Sequence, residues 1–161
     1  MKRRTKASKT NQPNVVSYAL LAVQAILLVA ILYYPGVREG GIHILFANTL
    51  RIVGLSIVLV ALWQLRNYSL TVLPEPVKGA QLLTKGLYRR MRHPIYSGLI
   101  LWGIGTVMIR PGLVRAGLLL ALIALFWAKS QREERLLAQA FGSRHERYRL
   151  NTPRFVPRRR T

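Results

Sequence analysis

Apolar residues in this chain come in long unbroken runs, not at the alternating spacing of a strand or the one-sided spacing of a surface helix. Residues 15–34 form 20 positions without a charge, enough for a helix to cross a bilayer. A second run, 42–65, is broken only by Arg51. A third, 95–109, is short and is extended by the turn around Pro94. A fourth, 113–128, is interrupted early by Arg115. The pattern predicts an all-α, polytopic membrane protein with about four transmembrane helices. Arg110-Pro111-Gly112 predicts a tight turn that makes the last two an antiparallel hairpin.

Beyond residue 128 the fourth helix is expected to run on into water. In KSQREERLLAQAF, Leu136, Leu137, Ala140 and Phe141 share one face with charges opposite, and Gly142 marks the stop. The chain has no internal repeat. Residues 1–14 read as a disordered basic tail and 15–161 as a single membrane domain. The first run is too long for a removable signal peptide, and no small-residue cleavage site follows it.

Charge changes the picture. Lys and Arg outnumber Asp and Glu by 25 to 5, which in a soluble domain would point to nucleic acid. Here the basic residues fall between the apolar runs. The N-terminal tail, the loop 66–92 and the segment from Lys129 onward carry 21 of them, against three (Arg38, Arg110, Arg115) on the opposite side. That bias predicts cytoplasmic termini and a cytoplasmic central loop, and the membrane is the plasma membrane if the source is bacterial. Anionic lipid headgroups are then the natural partners of the charge, and nucleic acid is not. With no cysteine, disulfides, thiol catalysis and thiolate metal sites are excluded, and no metal is expected. Arg51, the one charge within a run, is expected to be structural, reaching toward the outer headgroups.

Function is expected where 66–94 and 129–161 meet the membrane. Leu73-Pro74-Glu75-Pro76 cannot continue a helix. Pro94 suits the first position of helix three, which places His93 just outside it and Tyr96 inward from its first turn. A helix start favours a carboxylate or phosphate, although His and Tyr are also common at headgroup depth for no functional reason. Glu133 and Glu134 stand together in a basic segment. They are either solvated partners of neighbouring bases or a site for the cationic group of a ligand.

The stretch LLTKGLYRRMRHPIYSG, then EERLLAQAFG, then YRLNTPRFVP resembles the isoprenylcysteine carboxyl methyltransferase family, integral membrane enzymes related to the phospholipid N-methyltransferases. The resemblance covers roughly residues 54–157. It implies that S-adenosylmethionine binds in a pocket closed by the cytoplasmic C-terminal helix and tail. It also implies that a lipophilic or lipid-modified acceptor enters sideways from the membrane. Carried over position by position, it assigns cofactor contacts to Ala80, Gln81, Leu82, Leu83, Tyr88, His93, Pro94, Ile95, Tyr96 and Glu133. It assigns substrate contacts to Lys129 and Arg154. The family places an arginine where this chain has Lys129, which keeps the charge but loses the two-armed grip on a carboxylate. His145 stands where a tyrosine is common, while Tyr148, Arg154 and Pro157 keep the pattern.

The expected activity is methyl transfer from S-adenosylmethionine to a small lipophilic acceptor, with a carboxylate as the methylated group. The alternatives are phospholipid or amine N-methylation, a nicotinamide-dependent reductase on a related membrane fold, and a non-enzymatic scaffold. A carboxylate nucleophile needs no general base. An amine must lose a proton, for which His93 or Glu134 are the candidates.

Overall fold

The computed structural model describes residues 15–35, 43–66 and 82–157. All regular structure in them is helical: α1 (Val15–Tyr33), α2 (His43–Arg66), a 3₁₀ turn (Gly86–Arg89), α3 (Pro94–Ile109), α4 (Leu113–Phe141) and α5 (Ser143–Asn151). Helices α1, α2 and α4 are long and apolar enough to cross a membrane. The chain is an integral membrane protein. Helix α3 has only 16 residues, or roughly 24 Å of rise, against about 30 Å of hydrocarbon. Three helices therefore meet the length criterion where four spans were expected. Pro94 and Arg110 bound α3 too closely for more.

α3 packs along α2, and α1 along α4. The α2–α3 contact is close because glycine faces glycine. A Cβ on Gly54 would lie 2.5 Å from the Gly98 carbonyl oxygen, and one on Gly98 would lie 2.6 Å from that of Gly54. Small residues allow such an approach where lipid offers no hydrophobic drive to helix pairing. On the other side, Ile31, Tyr96, Leu122 and Phe126 form a buried cluster that joins α1, α3 and α4. Arg115 is also buried; it donates to the Arg110 carbonyl at 2.8 Å and to the Tyr34 carbonyl, tying α4 to the end of α1. Arg51 donates to Asn48 Oδ1 at 3.3 Å, in the direction of the α2 N-terminus.

α4 continues without a break from apolar residues to Phe141, and Gly142, at φ 52°, ends it. Leu136, Leu137 and Phe141 are half-buried as expected, but Ala140 is exposed. Helix α5, absent from the sequence reading, follows at once. Its segment SRHERYRLN is charged on every side and has no apolar period. It is held from below, by burial of His145 and by a 2.5 Å hydrogen bond from the Tyr148 hydroxyl to the Tyr88 carbonyl.

Candidate active site

Pro94 is the first residue of α3, and His93, its N-cap, turns its ring toward α4. The adjacent glutamates of α4 meet that ring from two sides. Nδ1 lies 3.2 Å from Glu133 Oε2, and Nε2 lies 3.2 Å from Glu134 Oε1. Burial of His93 opposes its charge, but hydrogen bonds to both carboxylates outweigh burial and raise its pKa above the ordinary imidazole value. Both ring nitrogens thus face a carboxylate, which favours the protonated ring.

The two glutamates differ in their other partners. Glu134 also accepts from Arg154, at 3.0 Å from Nε and 2.8 Å from Nη2, and lies 3.1 Å from Arg92 Nη2. Burial alone would raise its pKa, yet His93, Arg154 and Arg92 hold it at about 2. Glu133 accepts a hydrogen bond from the Tyr96 hydroxyl, and its side chain keeps 15% of its exposure, against 9% for Glu134. Glu133 is therefore the more open carboxylate, with lone pairs left for an ammonium or hydroxyl, while Glu134 is enclosed by cations.

Over this cluster runs the C-terminal segment. The amides of Arg92 and His93 donate to the carbonyls of Pro153 and Arg154, at 2.9 and 3.1 Å, and Ser97 Oγ donates to the Phe155 carbonyl at 2.7 Å. The Phe155 ring meets His93 and Trp127, at 5.9 and 6.0 Å between centroids. The Arg154 guanidinium stacks 4.7 Å over Trp127. The segment is a strap that covers the start of α3. Arg154, expected at the substrate, is engaged by Glu134, because a buried carboxylate so close captures a guanidinium in both arms. His93 likewise has no ring nitrogen left over for a ligand carboxylate.

Below the strap lies Tyr96, stacked between His93 and Phe126 at 5.6 and 4.6 Å. Lys129 is buried, with its ammonium 5.4 Å over the Tyr96 ring and donating to Gln24 Oε1 of α1 at 2.5 Å. Tyr96 thus has Glu133 on its hydroxyl and Lys129 on its face.

The remaining expected residues are dispersed. Ala80 and Gln81 lie outside the described residues. Leu83 and Tyr88 are buried with Ala61 and Leu65 of α2, so they build the wall and do not face an opening. Pro94 is buried, and Ile95, half-buried, packs against that wall. Leu82 lines a cleft of about 370 Å³ with Thr84, Arg89, Tyr148 and Thr152, a volume suited to a small molecule. His145 is enclosed, with neither ring nitrogen hydrogen-bonded among the described residues, and burial pushes its pKa down.

Sequence reasoning missed Gln24, Phe155 and the role of Glu134 as a hub. For Gln24 a signal existed: it is the one side-chain amide in the first apolar run. For Glu134 the signal was its place beside Glu133 in a basic segment; for Phe155 there was none, since its strap is paired largely through backbone groups.

The phospholipid methyltransferase family model matches residues 42–144, more than half of the chain. The chain belongs to the phospholipid methyltransferase family. Within its reach are protein-S-isoprenylcysteine O-methyltransferase B of Arabidopsis thaliana, 28% identical over 144 residues, covering 87% of this chain and 73% of the relative. The protein-S-isoprenylcysteine O-methyltransferase of Schizosaccharomyces pombe is 33% identical over 93 residues, covering 57% of this chain and 39% of its own length. The solved structure of a eukaryotic intramembrane Ras methyltransferase, an isoprenylcysteine carboxyl methyltransferase, superposes with a TM-score of 0.62 at 21% identity, over 91% of this chain and 54% of that one. That likeness is one of fold. The family and the names of these relatives give the chain its class, a membrane methyltransferase using a methyl donor. It spans most of the Arabidopsis relative but well under two thirds of the fission-yeast one and of the solved chain.

Proposed function

We propose that this family member transfers a methyl group from S-adenosylmethionine to the carboxylate of a lipophilic acceptor, as the names of its relatives suggest. The observation that carries the reading is the slightly exposed Glu133 carboxylate, set by His93 and Tyr96 under the C-terminal strap. It fits the ammonium of an aminoacyl cofactor. Bound there, S-adenosylmethionine supplies a methyl already activated by its sulfonium. Glu133 would anchor the aminoacyl end, Tyr96 would hold Glu133, and the strap with Phe155 would exclude water. Lys129, on the other side of Tyr96, would fix the acceptor carboxylate for in-line attack. The acceptor carboxylate, already deprotonated, would need no base from the chain, and the sulfonium would leave as a neutral thioether.

N-methylation of an amine, which the family description also suggests, needs a base. Both ring nitrogens of His93 face carboxylates, and Glu134 is held by three cations, an arrangement that favours the carboxylate acceptor. The 21-to-three basic asymmetry supports four spans with both termini and the site cytoplasmic. Reporter fusions at residue 38 and at the C-terminus test this and should report opposite sides. The activity is tested by incubating the purified protein with methyl-labelled S-adenosylmethionine and a prenylcysteine acid. Base-labile label in the acceptor is expected; label stable to base, in an amine lipid, would favour N-methylation.

A further inference from the structure

α1 turns one narrow seam inward. Its buried residues, Ser17, Gln24 and Ile31, recur every seven positions, while Val16, Val23, Ile26 and Val29 are exposed on its other faces. Gln24 lies nine residues from each end of the helix, or roughly 14 Å of rise, at the middle of the span. An amide at that depth is unfavourable unless it has a partner. Its partner is a cation: Lys129 Nζ, from the middle of α4, donates to Gln24 Oε1 at 2.5 Å.

Lys129 is 3% exposed, and Gln24 is neutral. The other neighbour of the ammonium is the face of the Tyr96 ring. Glu133, one turn along α4, has its oxygens directed to His93 and Tyr96. The ammonium is therefore oriented by two neutral groups, while its nearest counter-charge, Glu133, acts on it from one turn away with its oxygens bonded elsewhere. A cation so placed binds an incoming anion far more strongly than a solvated one. α1 lies outside the segment 42–144 that matches the family model, so Gln24 reaches the site from a separate helix.

We infer that Gln24 is a positioning residue that sets acceptor specificity. It aims Lys129 into the apolar layer, toward α1, and by staying uncharged keeps the ammonium available to a carboxylate whose apolar tail lies among the lipid chains. The inference rests on the methyltransferase reading and deepens it: Gln24, through Lys129, is what lets the acceptor's carboxylate be preferred over its neutral amide.

The test uses the full chain in lipid nanodiscs loaded with S-adenosylhomocysteine. The probes are N-acetyl-S-farnesylcysteine and its primary amide, titrated by calorimetry. The wild-type protein should prefer the acid by about tenfold or more. Gln24→Glu, nearly isosteric, places a permanent counter-ion on Lys129. It should abolish that preference and raise the acceptor KM about tenfold or more, with kcat and S-adenosylhomocysteine affinity changed by less than about threefold. Gln24→Met, of similar volume, should lower kcat/KM in the wild-type background and have no further effect beside Lys129→Met. A Gln24→Glu protein that still prefers the acid would overturn the inference, as would equal losses from Gln24→Met in both backgrounds. Failure of the wild-type protein to bind S-adenosylhomocysteine would overturn the methyltransferase reading, and this inference with it.

Discussion

Arg154 of the C-terminal strap holds Glu134 of α4 in both arms, at 3.0 and 2.8 Å. The pair joins α4 to the strap across the start of α3, and Arg92 closes it at 3.1 Å. Glu134→Gln leaves Arg92 and Arg154 facing each other without a carboxylate. Removing one partner of a largely buried pair costs about 3–5 kcal/mol when burial is complete; with Arg154 22% exposed, the loss should fall at or below the lower figure. The strap should come free first, read as faster proteolysis after Arg154 and Arg149. Unchanged proteolysis would mean that the backbone pairing at Pro153 and Arg154 suffices to hold it.

His93 ties stability to pH. Its folded pKa is raised, chiefly by hydrogen bonds to Glu133 and Glu134 that overcome burial. The stabilisation is then complete below the unfolded value of about 6.5 and is lost as pH rises through the folded value. Glu134, held at about 2, acts in the opposite direction: its contribution is present above about 4.5 and disappears as pH falls toward 2. Thermal melting in detergent should therefore show a plateau between these limits with a fall on the alkaline side. His93→Gln should remove the alkaline fall and leave the acid limb.

Glu133 and Lys129 approach Tyr96 from different sides, so their substitutions should separate. Glu133→Gln should weaken S-adenosylhomocysteine binding by about 1.5–3 kcal/mol, the worth of a charge-assisted hydrogen bond. Tyr96→Phe, which removes the hydroxyl on Glu133, should weaken it by about 1 kcal/mol. Lys129→Ala should leave that binding nearly unchanged and raise the acceptor KM. Equal loss of cofactor affinity in Lys129→Ala and Glu133→Gln would show the pair acting as one unit.

The glycine contact between α2 and α3 should tolerate no side chain. At Gly98 a Cβ meets the Gly54 carbonyl at 2.6 Å and a Val58 methyl at 2.8 Å, and the obstacle at Gly54 is backbone. Gly98→Leu should separate the helices, shift the start of α3 and remove methyl transfer, with a Tm lower by several degrees. Gly117→Ala, which meets nothing within 4 Å, should be neutral and serves as the control.

The span limits of α1 and α2, Pro94 as the first residue of α3 and Gly142 as the end of α4 were legible in the sequence, because each follows from local chemistry. Hydrocarbon demands an apolar length, proline lacks a donor, and glycine accepts a positive φ. The motif residues His93, Tyr96 and Glu133 were legible too, through their order along the chain. What they touch was not. Arg154 bonds Glu134 across 20 residues, Ser97 meets Phe155 across 58, and Lys129 reaches Gln24 across 105. Such partners are chosen by how helices pack, and packing here depends on two glycines and a seven-residue seam that carry almost no hydrophobic signal. The sequence alone determined which residues are chemically able to serve; the tertiary structure decided which carboxylate is more open, which arginine is taken, and that the buried lysine is bound to Gln24 of α1.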